Sequence, residues 1–289
     1  MKVLITGASG LIGSHLSSFL STNGHTVFPL SLRGEKRNKE LLSLLNNEAF
    51  DAVVHLAGEN VAQRWTPEKM AAIKDSRIQG TTILCTALAK TNRRPEVLIC
   101  ASGIGFYGNR GNELLDEKSQ RGRGFLADVC EEWEEASQIA AKAGIRVVNL
   151  RIGVVLSKEG GALAKMLLPF EMGAGGSIGS GQQYMSWIDI DDVVGAIYYI
   201  MTNKSLSGPV NIVAPRAVTN AEFTKAFGRV LNRPTLIPIP PFALRLLFGK
   251  MADELLIAGQ KVIPSKLHAS DYKFKYLELE PSLRHVLNK

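Results

Sequence analysis

The 289-residue sequence has no run of about 18 consecutive apolar residues, and Lys2 follows the first Met with no apolar h-region behind it. Neither a membrane span nor a secretory signal is expected, and the expected location is the cytoplasm. Cysteine is scarce. Cys85, Cys100 and Cys130 are odd in number, sit in apolar or helical surroundings and lack paired spacing, which argues against disulfides and zinc and for buried thiols. His15, His25, His55, His268 and His285 are scattered with no partner at metal-ligand spacing, so no metal is expected. The three tryptophans, Trp65, Trp133 and Trp187, read as packing residues. Acidic residues fall short of basic ones, giving a net charge of +7 and a pI near 9.3. The basic residues are spread along the chain rather than gathered on one helix, which favours a solvated surface over a nucleic-acid interface.

What the chain has in quantity is glycine and apolar residues. Hydrophobic content of 45% suffices for one large α/β core with a smaller lobe attached. The opening stretch, Lys2-Val3-Leu4-Ile5-Thr6-Gly7-Ala8-Ser9-Gly10-Leu11-Ile12-Gly13, is a short apolar run followed by three glycines three apart. Val3 to Ile5 suit a buried parallel strand. Gly7 permits a tight turn, Gly10 lets backbone approach a pyrophosphate, and Gly13 lets the following helix lie close, so that its unpaired N–H groups meet phosphate. The context agrees: Ile12, Leu16, Phe19 and Leu20 form a helical stripe, Asn23-Gly24 ends it, and Thr26 to Leu30 reads as a second strand.

Strands and helices then alternate. Leu41 to Leu45 reads as a short helix and Asp51 to Gly58 as a buried strand running into glycine. Thr66-Pro67 caps a long helix reaching about Asn92, and Val97 to Ala101 is the next strand. A helix from about Phe125 to Ala143 and a strand Arg146 to Arg151 follow. This order predicts an α/β protein: a Rossmann-like doubly wound parallel sheet with a smaller C-terminal substrate lobe. The lobe begins near residue 156, where Glu159 to Gln183 is glycine-rich and irregular around the apolar segment Ala162 to Phe170. Trp187 to Val193 leads into a helix through Met201, Pro209 to Val213 is a late strand, and Thr219-Asn220-Ala221-Glu222 is a capping box opening a helix that ends near Leu231. Four prolines punctuate Arg233 to Phe242. Residues 1–230 are read as the dinucleotide-binding domain and 231–289 as a further C-terminal domain.

These residues resemble the short-chain dehydrogenase/reductases of the extended, nucleotide-sugar-epimerase-like kind. The resemblance rests on Thr6-Gly7-x-x-Gly10-x-x-Gly13, His55-Leu56-Ala57-Gly58, Gly80-Thr81, Phe106-Tyr107-Gly108 and Asp189-Ile190-Asp191-Asp192-Val193. Gly58-Glu59-Asn60, Arg64-Trp65, Ser76-Arg77, Ile178-Gly179-Ser180-Gly181 and Gly259 to Pro264 narrow it to an atypical "epimerase family protein" branch, whose C-terminal segment is a domain of unknown function.

The resemblance implies a cofactor site at Gly7, Ser9, Gly10, Leu11, Ile12 and Gly13, with Leu56, Ala57 and Gly58 along the adenosine and ribose side. Val155 would pack near the nicotinamide. Ser31-Leu32-Arg33 stands where an NAD-preferring site places an acid, and a hydroxyl with a guanidinium suits a 2′-phosphate. With Lys36, Arg37 and Lys39 nearby, NADP(H) is the expected cofactor, an exposed basic loop being the blander reading. Arg77 is either a second anion contact or a helix-surface arginine.

The catalytic half departs from the pattern. None of the six tyrosines has a lysine four residues on, the helix from Phe125 to Trp133 offers neither phenol nor ammonium, and the serine position falls on Gly103. Ser102, Tyr107 and Glu59 remain as candidates. Tyr107 lacks a lysine to lower its pKa, and Glu59 reads equally as an acid/base or as a cap. The Asp189 to Asp192 cluster is expected to shape a strand-to-helix turn. Two functions stay open: an NADP-dependent oxidoreductase or epimerase-like enzyme acting on a small molecule through a non-standard group, and a cofactor-holding sensor or partner-binding module with little turnover. Leu244, Leu246, Leu247, Leu255, Leu256 and Ile257 suit cover for the substrate lobe or for a partner subunit, as in a homodimer.

Overall fold

The computed structural model describes all residues except 33, 35 and 36, with residue 37 described through its backbone. Six strands form one parallel sheet: β1 (Lys2–Thr6), β2 (Thr26–Leu30), β3 (Ala52–His55), β4 (Val97–Gly103), β5 (Arg146–Ile152) and β6 (Gly208–Ile212), in the spatial order β6-β5-β4-β3-β1-β2. Val3 pairs with Val27 on one side and Ala52 on the other. The chain leaves β1 in one direction for β2 and returns on its far side as β3. The carboxyl ends of β1 and β3 thus flank the point where the winding reverses, which is where open α/β sheets place ligands.

Alternate side chains of each strand enter two different cores. Val3, Ile5, Val54, Ile99 and Val148 pack with Leu16 and Leu20 of α1 (Leu11–Thr22). Leu4, Val53, Leu98 and Val147 pack on the opposite face with Leu41 of α2 (Arg37–Asn47) and Leu84 and Leu88 of α3 (Pro67–Lys90). Burial on both faces explains why these strands read as unbroken apolar runs. Thr66 caps α3 through Lys69 N, with Pro67 at the first helical position as the sequence predicts. α4 (Phe125–Lys142) packs beside α3 and carries Leu126, Cys130 and Trp133 inward.

Residues 159–183 are more regular than expected. The apolar segment forms α5 (Gly161–Glu171), whose Leu163 and Phe170 enter a third core with Trp187, Phe223 and Phe227. α6 (Ile190–Thr202) starts on the predicted aspartates: Asp189 accepts from Asp191 N at 2.9 Å, and Asp192 accepts from Lys275 N and Tyr276 N. Asp189, Asp191 and His285 come within 4.8 Å of one another, but Asp189 also accepts from Ser282 and Asp191 faces Lys275, so these groups are held by turn and ion-pair contacts. α7 (Asn220–Leu231) opens with the predicted capping box of Thr219 and Glu222.

The C-terminal segment is knitted into the rest of the molecule. α8 (Pro241–Phe248) is followed by a π-helical stretch, Ala252–Ile257, and by the strand Lys261–Val262, which pairs with Leu114–Leu115. α9 (Ser265–Ala269) lies against β6, and α10 (Leu279–Leu287) packs on α7. Among the described residues, no helix is long and apolar enough to cross a membrane.

Candidate functional site

At the end of β1, Gly7 adopts φ +76°, and a Cβ there would lie 2.8 Å from Ala57 N and from the Leu56 carbonyl carbon. Gly10 N donates to Gly7 O at 3.0 Å and closes the turn. A Cβ on Gly13 would stand 2.1 Å from Gly7 O, an overlap no neighbour can relieve because the atoms are backbone. These glycines therefore draw the β1 turn, the start of α1 and the 56–57 backbone together. No side chain caps α1 at Gly10, and no acid sits in its first turn. Its free N–H groups and the positive end of its dipole suit a phosphate.

The other expected cofactor residues surround this cradle in part. The register pairs Thr6 with Leu30, so Ser31 follows β2 alongside the Gly7 turn. Arg33 lies outside the described residues. The Arg77 guanidinium carbon is 3.2 Å from where a Cβ of Gly58 would be. Arg77 donates to Ile73 O at 3.0 Å and stacks over Trp133 at 5.0 Å, and burial lowers its pKa. Gly58 is thus the gap that admits Arg77 to the crevice floor. Across the crevice, Gly160 and Gly161 at the start of α5 pack on Leu11, and Gly161 lies near the Val155 carbonyl. Lys165 of α5 donates to Ala62 O at 2.6 Å, joining α5 to the loop after β3.

Beneath the crevice runs a buried polar chain. His55 lies between Thr6 Oγ1 at 2.6 Å and Thr81 Oγ1 at 3.0 Å, and Trp133 Nε1 donates to Thr81 Oγ1 at 2.8 Å. Burial without a charged partner brings the imidazole pKa down to about 4.

The catalytic candidates fall in different places. Ser102 Oγ donates to Glu134 at 2.8 Å. Tyr107 is fully buried; its hydroxyl donates to Asn211 Oδ1 at 2.7 Å and accepts from Arg151 at 3.1 Å. Burial, only partly offset by Arg151, pushes the phenol up to about 12. Arg151 forms two 2.9 Å bonds to the Glu134 carboxylate and lies 3.4 Å over the Phe106 ring. Burial opposes its charge, but Glu134 and Tyr107 outweigh that, and its pKa is raised. Ser102 and Tyr107 therefore belong to one internal network with Arg151 and Glu134, and both side chains are buried. Glu59 is half-buried, and its backbone N–H donates to Ser76 Oγ at 3.0 Å.

Sequence reasoning missed Glu134, Arg151 and Asn211. The available signal was Arg151, a charged residue late in a buried strand, with Glu134 one position past the buried Trp133. It also missed what fills the space above β4. A Cβ on Gly105 would be 3.0 Å from the Leu126 Cβ, and the Cys130 sulfur lies within 3.9 Å of the Cβ positions of both Gly103 and Gly105. The Cys130 thiol is pushed up to about 11, first by burial and then by Glu134. Glu254, from the π-helical stretch, accepts from Phe125 N at 2.9 Å and Leu126 N at 2.8 Å and so caps α4 from a distant part of the chain. A cleft of about 630 Å³ opens between the Asn109–Asn112 turn, the 178–184 loop, Pro241 and Ile257.

Fold and cradle together define a dinucleotide-binding protein of the doubly wound α/β type. The chain belongs to the NAD dependent epimerase/dehydratase family, whose model matches residues 3–213; residues 239–286 match a domain of unknown function, DUF1731. An epimerase family protein of Mycobacterium bovis is 42% identical over 99% of this chain and 98% of its own length. A relative from Arabidopsis thaliana, described as the chloroplastic homolog of SDR39U1, is 38% identical over 99% of this chain and 87% of its own length. The crystal structure of human SDR39U1, isoform 2, with NADPH superposes with a TM-score of 0.93 at 34% identity, covering all of both chains. A nucleoside-diphosphate sugar epimerase from Corynebacterium glutamicum, also 34% identical, superposes at 0.80 over 99% of this chain and 58% of its own.

Proposed function

We propose that the protein binds NADP(H) in the crevice between β1 and β3 and acts as an epimerase-like oxidoreductase on a small molecule through a non-standard set of groups. The observation that carries this reading is the uncapped start of α1 behind Gly7 and Gly13, a cradle shaped by backbone contacts that a Cβ would destroy. In it, Leu11, Ile12 and Gly13 offer N–H groups to the pyrophosphate, with Gly10 letting the backbone come close and Ser9 beside them. Leu56, Ala57 and Gly58 wall the adenosine side, and Arg77 supplies positive charge under Gly58. Val155 flanks the nicotinamide end. Ser31 and Arg33, from their place after β2, hold the 2′-phosphate; the NADPH bound to the human relative supports that choice. The bound cofactor would supply a hydride donor or acceptor.

The second reading, a cofactor-holding sensor, is favoured by Leu126 lying over Gly105 and by the enclosure of Ser102 and Tyr107 in the Arg151 network. Calorimetry with NADPH and NADH tests the cofactor: NADPH is expected to bind more tightly, and equal affinities would remove the proposed 2′-phosphate site. Arg33→Ala should weaken NADPH far more than NADH, by about tenfold or more for a lost charge-assisted contact. Oxidation of NADPH across a panel of carbonyl compounds separates the enzyme from the sensor.

A further inference from the structure

The 630 Å³ cleft has a chemical character of its own. Its polar lining comes from Asn109, Asn112, Ser180, Gln182, Gln183 and Tyr184, and its apolar edge from Ile178, Pro241 and Ile257. Among the described residues that line it there is no Asp, Glu, Lys, Arg or His. Two of the amides are fixed in orientation: Asn109 Oδ1 accepts from Gly259 N at 3.1 Å, and Gln183 Nε2 donates to Ile178 O at 3.2 Å. Two cations adjoin the lining residues, and each is engaged by the protein. Arg110 is bound by both nitrogens of its fork to Glu113 and also donates to Gln120 O, while the Lys261 ammonium lies 4.8 Å over the Tyr184 ring.

A nucleoside diphosphate carries at least two negative charges, and moving them out of water is costly unless cations meet them. Sites for such groups add arginine forks or lysines to the N–H groups of a helix start, and this lining offers neither of those side chains. Amides and hydroxyls at fixed angles beside an apolar edge suit a ring that bears hydroxyl or amide groups and no charge. We propose that this cleft takes an uncharged, hydroxyl- or amide-bearing ring compound of the free-sugar or nucleoside type, and not a nucleotide sugar. The inference rests on the proposed NADP(H) function only in making this ligand the substrate.

The test is saturation-transfer NMR on the full chain with NADPH present. Uridine, methyl glucoside and N-acetylglucosamine serve as neutral probes and UDP-glucose as the charged one. At least one neutral probe should bind, with little change between low and physiological salt. It should lose binding in an Asn112→Ala/Gln182→Ala variant, and UDP-glucose should bind about tenfold more weakly or not at all. Gln182→Arg should raise UDP-glucose affinity by about tenfold by supplying the missing cation. Binding of UDP-glucose as strong as that of the neutral probes overturns the proposal, and so does the absence of binding by every neutral probe. Calorimetry of NADPH on the same samples keeps the two readings apart: loss of cofactor binding counts against the proposed function, and the neutral-probe result stands or falls on its own.

Discussion

His55 makes the stability of this protein depend on pH in a calculable way. The ring is fully buried between Thr6 and Thr81, with its pKa lowered to about 4 from an ordinary value of 6.5. Well above pH 6.5 the imidazole is neutral in both folded and unfolded chains and contributes no pH dependence. As pH falls below 6.5 the unfolded chain takes up a proton that the folded chain refuses, so stability drops until the folded ring also titrates near pH 4. A difference of 2.5 pH units between those two values, at about 1.4 kcal/mol per unit, gives a total loss of about 3 kcal/mol, most of it complete by about pH 4.5. Urea unfolding of the wild type and of His55→Gln across this range isolates the contribution, because the glutamine cannot titrate and other groups change alike in both. The wild type should lose about 3 kcal/mol more than the variant. Parallel pH profiles would refute the reasoning, as would a ring-proton NMR titration placing His55 near its ordinary pKa; the NMR measurement does not require the variant to fold.

Gly13→Ala places a methyl 2.1 Å from Gly7 O, and we expect about 1–3 kcal/mol of destabilisation together with loss of NADPH binding. Unchanged melting temperature and affinity would count against the cradle. Glu134→Gln leaves the Arg151 guanidinium buried opposite a neutral amide and should cost about 3 kcal/mol or more in urea unfolding. Replacing both partners by apolar residues of similar volume should recover most of that loss, and failure to recover would mean that packing, not charge, sets the cost. Thr219→Ala removes one half of a capping box and should lower stability by about 1 kcal/mol, read from the urea midpoint.

Local chemistry explains which parts of the molecule were legible in the sequence. β2 occupies Thr26–Leu30, α3 starts on Pro67 behind Thr66, and the Thr219 capping box forms as written, because caps and short apolar runs act within a few residues. The α1 cradle was legible because its constraint is steric and lies within a dozen residues. The network of Ser102, Glu134, Arg151, Tyr107 and Asn211 was not, since its hydrogen-bonded partners lie up to 104 positions apart and meet only when β4, β5, β6 and α4 assemble. The sequence marks Ala162 to Phe170 only as an apolar segment within a glycine-rich region, because glycines on both sides and Pro169 within it mask the helix α5, which is held by contacts to Trp187, Phe223 and Phe227. Tyr107 was singled out from its motif, and only burial reveals that its hydroxyl is engaged by Arg151 and Asn211.

The carboxylate of Glu254 on the first turn of α4 has a consequence for how the chain can be cut or recombined. α4 carries Leu126, Cys130 and Glu134, the residues that shape the space above β4, yet the two N–H groups at its start are satisfied by a side chain 128 and 129 residues downstream. A chain ending before the DUF1731 segment would expose those donors and release the helix from its fixed position. It would also strip the Lys261–Val262 strand from Leu114–Leu115 and the Ile263 carbonyl from Asn211. A chimaera joining this dinucleotide-binding half to another tail must therefore supply an acceptor at the same point. The tail acts as the keystone of α4, and exchange of one half without the other is expected to give a chain that holds its sheet but not the arrangement above β4.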